Sequence, residues 1–417
     1  MNPKKIVLLL MSVVVCTFLF VACKQGKGLE EKELLAVEKQ KKDKGSKREV
    51  DVKEKGYDLP VNDEDRIESE TDCKMVMNRI KKIYEKADKG EAANVAISNK
   101  TAEKMQNVVE TIGYPVTING FHYNMCNYEK MEAFLIDSLE GKKGEIILYE
   151  IYFGGNICRR KFIYDGSDMY VLDTGTSWNE KNEPTISATS YNKIKNWKYT
   201  EKGWFIFEYC VPEPPEVSEV INGNVMVRVK PLNEEFNRIA EKCLCDLGYQ
   251  GNNLLCSNWD ANHMEDLDYN GLFQYLYFIK HKKQFDSEQY SKGIPKEEFE
   301  SLMKEFLPVT AEELQQYAVF DPKSQTYSWT ILGCRNYSPN AFGTSAPEVT
   351  DIKENVDKTV TLTIDVVCEM AGSDAVMSHQ LTVQFLEDGG IRYLKNEILN
   401  DGLAKIPAYQ YRFKRGK

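Results

Sequence analysis

Histidine is scarce in this chain of 417 residues: there are four, His122, His263, His281 and His379. None stands in a His-Glu-x-x-His helix. The sequence also has no Gly-x-Ser-x-Gly elbow, no phosphate-binding loop and no Gly-x-Gly-x-x-Gly after a strand. These absences lower several enzyme classes together, and no cofactor is implied; enzymes assembled from scattered residues stay open. Basic charge is short as well, with 54 Lys+Arg against 64 Asp+Glu, a formal net charge of −10. Phosphate backbones are bound by basic surfaces, which argues against nucleic acid as a partner. Beyond residue 23 no apolar run approaches the roughly 20 residues that cross a bilayer as a helix.

What is present begins with Met1–Cys23. Lys4 and Lys5 precede an apolar run from Ile6 to Ala22, broken only by Ser12 and Thr17. A basic start, a greasy middle and a small residue before the cut make a secretory signal. The run ends in Phe20-Val21-Ala22-Cys23, which resembles the lipobox of bacterial lipoproteins. Phe20 departs from the usual Leu; Val21, Ala22 and Cys23 match. The resemblance implies that residues 1–22 are removed and that the Cys23 thiol carries a diacylglycerol, with fatty acyl chains such as palmitate. The protein would then sit on the outer face of the cytoplasmic membrane. The rival readings are an uncleaved membrane helix and an ordinary cleaved signal. Cys16, with Val15 before it, is the weaker lipid site. Each buried CH₂ of an acyl chain adds about 0.8 kcal/mol, so two chains hold a protein stably on a membrane.

Residues 23–56 form a charged linker, with 11 Lys+Arg and 8 Asp+Glu from Lys24 to Gly56 and no aromatic residue. Such a segment cannot bury enough surface to offset the entropy of ordering it. As a coil it spans about 30 Å. The body from Tyr57 onward is acidic, at −15. Nine cysteines remain after Cys16 and Cys23, an odd number scattered over a long chain, so at least one thiol stays unpaired and no disulfide framework is expected.

Nearly 400 residues exceed one core, so two domains are expected, 57–230 and 231–417. In the first, helices are expected over Cys73–Ala87 behind Ser69 or Thr71, over Thr101–Ile112, and after Asn127. Strands follow at Glu145–Phe153, Ile157–Tyr164, Met169–Leu172, Lys195–Tyr199, Trp204–Val211 and Val225–Val229, with turns at Gly154-Gly155, Asp165-Gly166 and Lys202-Gly203. In the second, Asn233 caps a helix through Leu247. Further helices lie near Gly271–His281, after Ile294-Pro295, and behind the capping box Thr310-Ala-Glu-Glu313. Strands return at Thr326–Leu332, Val360–Cys368, Gln380–Leu386 and Ile391–Ile398. The fold class is α+β, with helices followed by antiparallel meanders, in two such modules, the first with its helices on one face of its sheet. Residues 411–417 read as a frayed basic end.

The Cys23 anchor, the charged stem, Tyr199-Thr-Glu-Lys-Gly203-Trp204 and the helices within Ile294–Tyr317 together resemble a family of uncharacterised lipoproteins from Gram-positive anaerobes. The resemblance carries over no catalytic residue.

Three constellations deserve weighing. Asp266, Asp268 and Asn270 begin like a calcium loop, but Tyr277 stands where the bidentate Glu belongs; the blander reading is an acidic loop whose Asp268 or Asn270 caps a helix. Cys243, Cys245, Cys256 and His263 can be imagined as a zinc set, although cysteines two apart on a helix diverge by about 200°. Asp260, Glu265, Asp266 and His263 are the hydrolase candidates. Trp178, Trp197, Trp204, Trp259 and Trp329 either line a saccharide or peptide face or fill the core. The leading expectation is a non-catalytic lipoprotein, held to the membrane through Cys23, that binds protein, peptide or glycan. The alternatives are an envelope polymer hydrolase and a transporter's solute-binding component.

Overall fold

The computed structural model describes residues 55–90, 94–286, 288–333 and 336–413. The expected signal, Cys16, Cys23, the stem to residue 54, and Cys334 lie outside the described residues. No helix among the described residues is long and apolar enough to cross a membrane.

The first helix, α1 (Asp63–Lys86), starts earlier than its sequence suggests. Asn62 is its cap, its side-chain oxygen accepting from the Asp65 amide at 2.8 Å, and three acids follow in the first turn, where the helix dipole favours them. Ser69, the expected cap, sits mid-helix with its hydroxyl on the Arg66 carbonyl. Helix α2 (Asn99–Glu110) is capped by Ser98. Strand β1 (Val116–Ile118) and helix α3 (Tyr128–Leu139) follow.

A meander then runs β2 (Gly144–Ile151), β3 (Ile157–Tyr164), β4 (Met169–Trp178), β5 (Pro184–Tyr199), β6 (Trp204–Tyr209) and β7 (Asn224–Arg228). With β1 these make a seven-stranded sheet in sequential order, antiparallel throughout except for the parallel β1–β2 pair. Gly203 turns β5 into β6 at φ +89°, and a Cβ there would lie 2.3 Å from the Lys230 Cβ.

The helices cover both faces of this sheet, not one. Along β2, Ile147, Tyr149 and Ile151 pack with Val76, Ile80 and Met105 of α1 and α2. Leu148, pointing the other way, packs with Met131 and Leu135 of α3. Successive strand residues alternate sides, so α1 and α2 lie opposite α3.

The expected boundary at 230/231 falls between β7 and helix α4 (Glu234–Cys243), which Asn233 caps through the amides of Glu235 and Phe236. Next come β8 (Trp259–Asp260), α5 (Tyr269–His281), β9 (Ile294–Pro295), α6 (Lys296–Phe306) and α7 (Ala311–Tyr317). The capping box of α7 is formed, Thr310 and Glu313 each holding the other's backbone amide. Two-residue strand β11 (Thr326–Tyr327) pairs with β10 (Phe320–Asp321) on one side and β9 on the other, so the strand expected to run to Leu332 stops at Tyr327.

The second large sheet holds β12 (Ala346–Glu354), β13 (Val360–Cys368), β14 (Ser373–Phe385) and β15 (Ile391–Ile398), with β12 at one edge and β8 at the other. Its inner face, with Leu362, Ile364, Leu381 and Tyr393, packs with Phe273 of α5 and Phe299 and Phe306 of α6. The fold is α+β, and in each half helices precede a meander. From Gly56 onward the chain forms one compact unit.

The end of the chain departs from expectation. Arg412 is 4 % exposed. Its amide donates to Asp268 Oδ2 at 3.1 Å and its guanidinium to Gln274 Oε1 at 2.9 Å and to the Thr330 carbonyl at 3.2 Å. Residues 414–417 lie outside the described residues.

Candidate functional site

Where the two large sheets meet, β6 and β7 of the first face β12 of the second across a cavity of about 210 Å³. Trp204 opens β6 and is paired across the sheet with Arg228, the last residue of β7. Both reach Glu348 of β12. The Trp204 indole N–H donates to Oε2 at 2.8 Å, and Arg228 Nη1 donates to Oε1 at 2.7 Å. The Arg228 guanidinium also lies over the Trp204 ring, 5.3 Å from its centroid. Lys202 pairs with Asp365 and donates to the Asp374 carbonyl, so the charges at this seam are matched. The remaining wall is mostly apolar, with Phe121, Phe236, Ala240, Pro347, Val349 and Val367.

Four polar residues complete the wall: His122, Asn233, Asn237 and Thr350. Asn237 Nδ2 donates to the His122 carbonyl and to Glu241. His122 Nε2 lies 3.3 Å from Cys245 Sγ. A Cys–His contact invites a nucleophilic reading, but the electrostatics oppose it. Burial holds the imidazole at about 4, so it is neutral. Burial also pushes the thiol up, with Glu241 and Asp246 adding to the shift. A reactive cysteine needs the opposite, a thiolate favoured by nearby positive charge. The pair is a thiol hydrogen-bonded to a neutral imidazole.

A second buried network lies on the first sheet. Arg160 Nη2 meets Glu150 at 3.0 Å, and Arg160 Nη1 donates to the Tyr209 hydroxyl, which donates to Asp173 at 2.5 Å. Asn119 and Tyr152 donate to Glu150. A 3₁₀ turn from the second sheet, Glu369–Ala371, closes over this group, its Met370 carbonyl accepting from the side chains of Asn222 and Asn224. Glu150 and Asp173 thus share one guanidinium, whose field also reaches Glu369. Burial, and then the charge of Glu150, push Glu369 up to about 7 despite Arg160. A third network, buried in the second half, links Tyr249, His379 and Asn396. His379 Nε2 is 2.9 Å from the Tyr249 hydroxyl and Nδ1 is 2.6 Å from Asn396 Oδ1. Asn396 Nδ2 donates to the Ser257 carbonyl, so Oδ1 is the acceptor for His379, whose proton is on Nδ1. Burial holds this imidazole at about 4.

The residues singled out in the sequence are placed differently. Asp268 caps α5 through the Gly271 amide and also accepts from Tyr409 and Arg412. Asn270 bridges Val319 and Ser328. The Asp266 carbonyl accepts from Asn253 and Tyr411. Asp268 and Asn270 are therefore committed to protein hydrogen bonds. Of the imagined zinc set, the Cys243 thiol donates to the Ile239 carbonyl, while His263 sits on an exposed turn, 2.9 Å from Asp260. Among the described residues no group of three or more His, Cys, Asp and Glu is arranged to hold a metal, and the eight described cysteines are free thiols. The hydrolase candidates share that exposed turn, and Asp260 is held below its usual range by the Asn262 amide and then by His263. The tryptophans are dispersed: Trp178 stacks on Tyr84, Trp197 packs on Phe205, and Trp329 sits edge-on to Phe285.

Of the seam residues, the sequence had pointed to His122, Trp204 and Cys245 for their chemistry, and to Lys202 and Asn233 only as a turn and a helix cap. Arg228 and Glu348 are 120 positions apart and no local pattern joins them. No curated protein and no solved structure matches the chain. A protein-family model described as a family of unknown function (DUF6070) matches residues 66–412, and the chain belongs to that family.

Proposed function

We propose that this protein is a lipoprotein anchored through Cys23 to the outer face of the cytoplasmic membrane, and that its body is a non-catalytic module recognising a protein, peptide or glycan. The signal-like start, the lipobox resemblance and the charged composition of the stem support the anchor. The seam cavity carries the recognition reading. Its charged side chains are already paired, its wall is mostly apolar, and its imidazole and the thiol behind it are both held in their neutral forms. Binding sites favour such preorganised apolar walls with a few oriented polar groups, whereas catalysis needs an acid, base or nucleophile poised near neutral pH.

The test has two arms. Native protein should carry acyl mass on Cys23, and Cys23→Ala should move it from the membrane to the soluble fraction. Partners co-purified with the intact anchored protein should be lost when the cavity is filled by Ala240→Phe. Unmodified Cys23, or an unchanged partner set in a folded Ala240→Phe protein, would overturn the corresponding half.

A further inference from the structure

The seam cavity constrains its occupant by size, charge and hydrogen bonding. Its volume of about 210 Å³ exceeds the roughly 150 Å³ in which a buried apolar site holds benzene, and falls short of the roughly 300 Å³ where larger ligands begin. That is room for a single ring or a fused pair. Aromatic side chains already shape the wall: Phe121, Trp204 and Phe236 line it, and Phe121 meets Trp204 edge-on at 5.7 Å and 71°. Such edges and faces favour another ring over an aliphatic chain. Charge is excluded. Both carboxylate oxygens of Glu348 are taken, by the Trp204 indole and by Arg228, and Lys202 is held by Asp365. An entering ion would lose its water and find no free counter-charge. The wall does offer an acceptor. The Asn237 amide nitrogen donates to the His122 carbonyl and to Glu241, both at 3.2 Å. A carbonyl only accepts, so the NH₂ lies on that side and Oδ1 is the remaining end of the amide. Among the described residues no donor reaches Oδ1, which therefore suits one O–H or N–H of a ligand.

The geometry points to a neutral aromatic ring bearing a single O–H or N–H donor as the group that fills the seam cavity, its ring against Phe121, Trp204 and Phe236 and its donor on Asn237 Oδ1. A free phenol or indole shares this chemistry with the side chain of a tyrosine or tryptophan on a partner. Only the ring enters; any main chain that carries it stays outside. This rests on the recognition reading above and sets glycan aside. A sugar ring would bring several hydroxyls to a mostly apolar wall whose charged groups are already occupied, at the cost of unmatched polar groups.

The test uses the intact chain in lipid nanodiscs and titration calorimetry with p-cresol, toluene and p-toluate. p-Cresol should saturate one site. Toluene has the same ring without the donor and leaves Oδ1 desolvated and unpaired. It should bind about 3- to 10-fold more weakly, the worth of one neutral hydrogen bond. The anion p-toluate should not bind. Asn237→Leu should erase the preference for p-cresol over toluene, and Ala240→Phe should abolish binding of both. If Ala240→Phe fails to fold, Ala346→Phe fills the same space from β12. No saturable binding of p-cresol, equal affinity for p-cresol and p-toluate, or p-cresol binding unchanged in a folded filled variant overturns the proposal. Acetyl-tyrosine methylamide separates the two sources. Its binding, lost in the filled variant, assigns the ring to a partner chain; its exclusion while p-cresol binds assigns a free small molecule. Either outcome supports the proposal. The recognition reading fails separately, when the partners of the anchored protein are unchanged in the filled variant.

Discussion

Arg228 of β7 and Glu348 of β12 meet at 2.7 Å with their side chains 8 % and 10 % exposed, a charge pair tying the edge of one sheet to the edge of the other. Removing one partner strands the other in a desolvated seam and leaves the Trp204 N–H without its acceptor. Glu348→Ala should therefore destabilise the protein by about 3–5 kcal/mol in urea unfolding, while Arg228→Met with Glu348→Leu should recover most of the loss. A single substitution costing less than about 1 kcal/mol would show that the sheets are held by packing alone.

Glu369 sets one pH dependence. Its carboxyl is raised from 4.5 to about 7 in the folded chain, beside Glu150, Arg160 and Asp173. The folded state holds this proton more tightly than the unfolded one. The penalty for ionising Glu369 is absent below about pH 4.5, grows as pH rises, and is complete above about 7. It is worth on the order of 3 kcal/mol. Glu369→Gln should lack this slope and be more stable than the parent above pH 7. Parallel stability curves for the two proteins between pH 4.5 and 8 would refute it.

The buried histidines act with the opposite sign. His122 and His379 are lowered from 6.5 to about 4 by burial. The unfolded chain takes up these protons first, so their contribution is intact above about 6.5 and is lost as pH falls toward 4. NMR should show both rings neutral at pH 5.5, with the His379 proton on Nδ1. An imidazolium signal from either at that pH would contradict the burial argument.

Asp268 is a structural residue. Asp268→Ala removes the Gly271 cap together with the acceptor for Tyr409 and Arg412, and should cost about 2–4 kcal/mol and expose the C-terminal segment to protease. Calcium or EDTA should leave the Tm of the parent unchanged; a calcium-dependent rise would restore the Asp266–Asn270 loop as a metal site.

Much of the fold was legible where local signals agreed. Ile157–Tyr164 emerged with its true bounds because Gly154-Gly155 and Asp165-Gly166 mark its turns, and Val360–Cys368 because its apolar residues alternate along the strand. The helix after Thr310 was equally clear from its capping box. Strand β12 was missed, because Pro347 and the run Asp351–Glu354 look like loop chemistry, which an edge strand tolerates. Strands β4 and β5 were cut short because their polar ends, Asp173–Trp178 and Pro184–Asn192, carry no apolar alternation, yet pair as one long hairpin. The seam was illegible for a deeper reason: Glu348 reaches Trp204 and Arg228 only through the packing of two sheets.

The matched family region ends at residue 412, the same residue whose guanidinium is sunk among Gln274, Thr330 and Gly251. Chain removed before this arginine withdraws a plug from the second half of the body and takes from Asp268 the backbone amide that donates to it.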